Sequence, residues 1–176
     1  MQISSRGLGR RALMAALSTA AIGASATPVT ANAEYATLPL SDEEAEEAGL
    51  VITSSAYNVN ETISRLRQAI RDVEGAEEIH YVDHTEFAAG VDEPLREVRV
   101  FLVGMPKVES ELGETAPTVG LDVPPVILVY DHEDNGVEMV HNTPEYVAAR
   151  HGLTEGMDAI QTMDDRLTEI VETVNE

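Results

Sequence analysis

The 176-residue sequence has no cysteine, no tryptophan, two phenylalanines and a single lysine, Lys107. Without thiols there is no disulfide, no zinc–thiolate or iron–sulfur site, no thiol nucleophile and no cysteine to carry a lipid. Bases are scarce, 11 against 32 acids, for a formal net charge of −21. A polyanion repels DNA, RNA and anionic lipid surfaces, so nucleic acid is excluded as an expected partner. Long apolar runs are also missing. The longest candidate, after Arg11, is interrupted by Ser18, Thr19 and Gly23 and is weak for a membrane span. What is there is 43% hydrophobic material, enough to give one domain of this length a core.

Residues 1–33 carry three arginines and no acid, an alanine-rich apolar stretch, and Ala31-Asn32-Ala33 before Glu34. That is the three-part layout of a secretory signal. Arg10-Arg11 followed by Ala12-Leu13-Met14 resembles a twin-arginine export signal, with the general secretory route as the alternative. The expected address is extracellular or cell-surface, with no stable membrane span once the signal is removed. Without this segment 8 basic residues face 32 acids. Acid excess, arginine in place of lysine and few aromatics resemble proteins of extremely halophilic archaea. At molar salt the Debye length falls to ~3 Å, so self-repulsion nearly vanishes. The acids are dispersed and show no EF-hand spacing, which disfavours a calcium-binding reading. Residues 34–48, with a Pro and a dense acid run from Asp42 to Glu47, read as a solvated, mobile leader. A single domain is expected over 49–176.

Leu50 to Ala56 reads as a strand. Asn58 with Glu61 three residues on is a capping-box arrangement, and Val59, Ile63, Leu66, Ile70 and Val73 form one helical stripe ending near Gly75. Strands are expected at Glu78–His84, Leu95–Gly104, Pro125–His132 and Val137–His141, with a polar connection over Pro106–Ala116. Thr143-Pro144 starts a short helix that ends at Gly152. Thr154 caps a last helix with Met157, Ile160, Met163, Leu167, Ile170 and Val174 on one side. The order β-α-β-β-β-β-α-α, with short connections in the middle, predicts an α+β domain: two layers, an antiparallel sheet of about five strands, helices on one face.

Several local patterns together resemble the domain-of-unknown-function 302 family over about residues 50–174. They are Asp83-His84; Gly104, Pro106 and Lys107; Ala116-Pro117; Leu121 and Pro124; Asn142, Pro144 and Tyr146; and Arg150-His151-Gly152-Leu153. Two positions depart: Met105 stands where members usually have Asn, and His141 where they often have Tyr. The resemblance implies an antiparallel α+β fold of the TBP-like type. The family's biochemical activity is unknown, so it implies no reaction.

Chemistry-bearing residues are few. His80 and His84, four apart on a strand, would span roughly 13 Å and cannot share an ion. With Asn135-Gly136 as a two-residue turn, His132 faces Met139 and Tyr130 faces His141. His132 and His141 are then diagonal neighbours ~7 Å apart, a candidate metal pair that a slip of one residue destroys. An enzyme reading would use Asp83 and His84 as acid and base near Lys107. A ligand site would draw on His84, Gly104, Pro106, Lys107, Tyr130 and His141. Gly104 is explained by a positive φ and Pro106 by its fixed φ. Lys107 suits either an anion or an ion pair with a nearby acid. No nucleophile elbow, phosphate loop or HExxH motif occurs, and no cofactor is implied.

The central strands offer a different clue. Val98, Val100 and Leu102 alternate with Arg99, Phe101 and Val103; Ile127 and Val129 alternate with Val126, Leu128 and Tyr130. Both faces are apolar, while the helices cover only one. The surplus face is expected to bury itself against a second copy, with a small apolar or anionic ligand as the other occupant. Charge makes its own prediction. The melting temperature should rise steadily from low salt to molar KCl as screening removes self-repulsion, and a salt-independent melting temperature would contradict it.

Overall fold

The computed structural model describes residues 41–93 and 95–176. Residues 1–33, read above as an export signal, and the first half of the expected leader lie outside the described residues.

The folded region begins earlier than expected. Ser41 caps a short helix α1, Asp42–Glu47, in a reciprocal capping box with Glu44. The acid run is therefore helical rather than a mobile leader, and Ala45 is buried at 3% exposure. Capping satisfies the first amides, and carboxylates suit the positive end of a helix.

Strand β1 is Leu50–Ser54, followed by helix α2, Val59–Asp72. Asn58 caps α2 by accepting from the Glu61 N–H, but Glu61 pairs with Arg65 at 2.9 Å instead of closing the expected box. Strand β2 is Glu77–Asp83, and a short helix α3, His84–Ala89, follows it where the sequence reading had none. Strand β3 is Val98–Gly104, helix α4 Pro106–Thr115, and a 3-10 turn runs Pro117–Leu121. Strands β4, Val126–His132, and β5, Gly136–Asn142, form a hairpin. Helix α5 is Pro144–His151, ended by Gly152, and α6 is Met157–Thr173. The cap of α6 is Gly156, not Thr154, so the helix starts later and Met157 is 46% exposed.

The five strands form one antiparallel sheet in the order β1-β5-β4-β3-β2. The register pairs Phe101 with Ile127 and Tyr81, and Val129 with Met139. These residues share one face. On that face Phe101, Val103, Ile127, Val129, Val137 and Met139 join the apolar stripes of α2 and α6 in the core. Leu66 and Ile70 of α2 and Leu167 and Ile170 of α6 are almost fully buried against it. None of Val98, Val100, Leu102, Leu128 or Val140, on the other face, enters that core.

Gly104 does not have a positive φ, contrary to expectation. Its role is space: a Cβ there would lie 2.5 Å from the Ile79 side chain, which crosses it beside the β2 irregularity between Glu78 and His80.

One polar clamp ties the connection after the 3-10 turn to α5. The Asp122 carboxylate, 7% exposed, accepts from Arg150 at 3.0 Å and meets His151 Nε2 at 2.5 Å. The other ring nitrogen of His151 reaches the Thr118 hydroxyl at 3.2 Å. Removing the carboxylate leaves His151 Nε2, in a side chain 3% exposed, without its partner, while Arg150, 44% exposed, keeps the Tyr146 hydroxyl at 3.3 Å and solvent. Asp122→Ala should cost about 1–3 kcal/mol, read as a lower denaturant midpoint at unchanged slope; an unchanged midpoint would remove the clamp from the account.

Candidate functional site

The uncovered face of the sheet is built from alternate residues of all five strands. Its apolar part holds Val82, Val98, Val100, Leu102, Leu128 and Ile52, all half-buried by their own neighbours. Val140, at 7% exposure, lies between them. β-branched residues dominate because they pack well on a pleated surface.

At the hairpin end the face turns polar. Glu138, opposite Tyr130, is 5% exposed. It accepts from the Tyr130 hydroxyl and from Asn135 Nδ2, the latter at 3.0 Å. Burial first, then the hydrogen bond to Glu138 and its charge, push the Tyr130 phenol above its ordinary value. His132 shares this row and is also 5% exposed. Its Nδ1 accepts from the amides of Asp134 and Asn135, both at 3.1 Å. The proton of the neutral ring therefore sits on Nε2, which has no partner among the described residues.

The metal pair does not form. The hairpin pairs His132 with Gly136, not with Met139. The loop holds three residues, and Gly136, at φ 79°, supplies the left-handed position that such a loop needs. The register differs by an odd number from the two-residue expectation, so His132 and His141 occupy opposite faces of the sheet. No group of three or more metal-ligating side chains occurs among the described residues.

The acid–base set is separated as well. Asp83 caps α3 through the Glu86 N–H at 2.8 Å and pairs with Arg99 at 2.9 Å. His84 is exposed and stands edge-on to Phe87. Lys107 lies in the first turn of α4, beyond the far end of β3. Arg99 and Gly104 are five strand residues apart, roughly 17 Å. The wider ligand set scatters likewise: Gly104, Pro106 and Lys107 sit at one end, His84 at the other, Tyr130 on the bare face and His141 beneath the helices.

His141 is the buried group that sequence reasoning placed wrongly. It is 2% exposed, and its Nδ1 donates to the Asn142 carbonyl at 3.0 Å. Its Nε2 has no partner among the described residues. Burial holds the imidazole below its ordinary value, against the Asn142 hydrogen bond and the charge of Asp164. Burial pushes Asp164 up; His141 draws it down, while Glu145 and Asp165 add to the rise. Asp164 lines a groove of about 630 Å³ with Leu50, Ile52, Thr143, Glu145 and Gln161. A histidine whose folded value is depressed costs nothing above its unfolded value of 6.5 and destabilises as the pH falls below it. Asp164 works oppositely, its penalty fading as the pH falls through its raised folded value. The melting temperature should therefore drop just below pH 6.5, and His141→Phe should flatten that limb. An unchanged limb in the variant would assign the loss elsewhere.

The profile of the family described as "Domain of unknown function DUF302" matches residues 51–174. The crystal structure of an uncharacterized conserved protein DUF302 from Bacillus stearothermophilus superposes with a TM-score of 0.65. At 17% identity it covers 71% of this chain and 97% of its own, and it supports the fold alone. Fluoride-specific ion channel FluC 1 of Brucella suis biovar 1 (strain 1330) is 32% identical over 120 residues, 66% of this chain. Fluoride-specific ion channel FluC 2 of Brucella melitensis biotype 1 (strain ATCC 23456 / CCUG 17765 / NCTC 10094 / 16M) is 32% identical over the same length. The chain spans 46% and 43% of these two relatives. No helix among the described residues is long and apolar enough to cross a membrane.

Proposed function

This chain belongs to the DUF302 family, and from its bare sheet face we propose that it acts by association, two copies packing sheet to sheet, rather than by catalysis. One observation carries the reading: the strands bury one apolar face under helices and leave the second without a helical layer among the described residues.

Size supports it. Five strands of five to seven residues make a face of roughly 24 by 23 Å at the usual strand spacing and rise. Two such faces would bury roughly 1,100 Å² together, at the low end of specific interfaces. Charge supports it too. In a chain that is 24% charged, the acids on this face are Glu77 at its edge and Glu138, which is buried under neutral donors. A two-fold pairing would thus bring together the least repulsive surface of a strongly anionic molecule. The scatter of Asp83, His84 and Lys107 leaves the enzyme alternative without a centre.

The channel activity in the relatives' names belongs to proteins more than twice as long as the matched stretch, and it is not transferred. Export and adaptation to high salt remain part of this proposal, resting on Arg10-Arg11, Ala31-Asn32-Ala33 and the acid excess.

Sedimentation of the full chain in molar KCl at micromolar concentration should give a dimer. Val100→Asp and Leu102→Asp should each give monomer with a native circular-dichroism spectrum, and His84→Ala should remain dimeric. Wild-type protein sedimenting only as monomer would overturn the proposal.

A further inference from the structure

The clamp at Asp122 also sets the chemistry of one hydroxyl. Thr118 lies in the 3-10 turn and is exposed, while its neighbour Val119 is fully buried and anchors the turn in the core. His151 closes α5, whose Val147 and Ala148 are buried, and its own side chain is 3% exposed. The Thr118 hydroxyl and His151 Nδ1, 33 residues apart in sequence, meet at 3.2 Å. Packing therefore holds the elements on both sides of this contact.

The tautomer follows from the partners. An ionised carboxylate can only accept, and that of Asp122 lies 2.5 Å from His151 Nε2. The proton of the neutral ring is then on Nε2, Nδ1 is a bare acceptor, and the Thr118 hydroxyl donates to it. Arg150 bonds the other oxygen of Asp122 at 3.0 Å, so the carboxylate has a cationic partner without an imidazolium. Hydroxyl, imidazole and carboxylate stand in a row. That is the order of nucleophile, base and base-orienting group in acyl transfer. Other threonines are bonded differently. Thr115 and Thr162 donate to carbonyls four residues back in their own helices, and Thr85 donates to the Arg96 carbonyl. A backbone carbonyl cannot take up their protons at neutral pH; an imidazole can.

We infer that Thr118 is a covalent acceptor site that takes an acyl group from an activated ester or thioester, with His151 as the general base. As Thr118 Oγ attacks the acyl carbon, its proton passes to His151 Nδ1. The bond that forms is Oγ–C. The bond that breaks joins the acyl carbon to the leaving oxygen or sulfur, which departs with the proton handed on from Nδ1. Asp122 is a positioning residue: it fixes the ring and faces the positive charge the ring carries between the two transfers. The exposure of Thr118 lets a donor reach it. The product is an ester on this chain itself, one acyl group per copy. The step is a modification of the chain and does not depend on pairing through the sheet.

The test treats the full chain in molar KCl with p-nitrophenyl acetate, quenches in acid and locates acetyl groups by mass spectrometry. An acetyl ester on Thr118 is expected, with Lys107, the single lysine, as the reference for reagent reactivity. His151→Gln should slow labelling of Thr118 about a hundredfold relative to Lys107, the usual loss on removing a general base. Thr118→Ser should be labelled at least as fast as wild type. Nitrogen resonances of the wild-type His151 ring should report a proton on Nε2 and none on Nδ1. Asp122→Asn should lose that signature and most of the labelling, and it decides the matter if His151→Gln fails to fold. Arg65→Gln should be labelled like wild type. Lys107 acetylated without Thr118, undiminished labelling in folded His151→Gln or Asp122→Asn, or a wild-type ring protonated on Nδ1 would overturn the inference.

Discussion

A sheet with apolar residues on both faces needs cover on both, and this constraint organises the rest of the protein. The helices α2 and α6 lay their stripes on one face, and Phe101, Ile127, Val129 and Met139 complete the core there. The second face is apolar over its middle, where Val98, Val100, Leu102 and Leu128 are half-buried, and polar at the hairpin end. Apolar area left in contact with water costs roughly 25 cal/mol per Å² relative to burial. Folding removes that cost on one side, and association would remove it on the other.

Electrostatics runs in parallel with this packing argument. The chain has 32 acids against 11 bases, and Arg65, Arg67, Arg96, Arg99 and Arg150 each have an acidic partner. The clamp at Asp122 shows the ordinary use: Arg150 and His151 converge on one buried carboxylate and fasten α5 to the turn before β4. Arg166 shows the other use, a guanidinium enclosed by packing with one nitrogen left unsatisfied. The two buried histidines form a further contrast. His132 accepts at Nδ1 and keeps its proton on Nε2, while His141 donates from Nδ1 and presents a bare Nε2.

Much of the fold was legible in the chain because helix and strand periods are local properties. The stripe Val59, Ile63, Leu66, Ile70 and Val73 is buried as read, and the caps at Asn58 and Thr143 hold their helices. The acid run before β1 misled because carboxylates suit both a solvated tail and a capped first turn; the burial of Ala45 separates the two. Thr154 looked like a cap because its residue type is right, but the chain turns once more and Gly156 takes the position. Gly104 was read as conformational freedom, whereas the neighbouring Ile79 side chain needs the space.

Candidate sites were far less legible. Whether His132 and His141 meet depends on one residue in a turn, since an odd change of register exchanges the two faces of a strand. Whether Lys107 meets Asp83 depends on which end of β3 lies beside each, which no local pattern encodes. Composition, helix stripes and the double apolar face followed from residue order alone, because each rests on neighbours a few positions apart. Tertiary structure alone decided which side chains share a face and which polar groups converge, because those meetings join residues distant along the chain through register and packing.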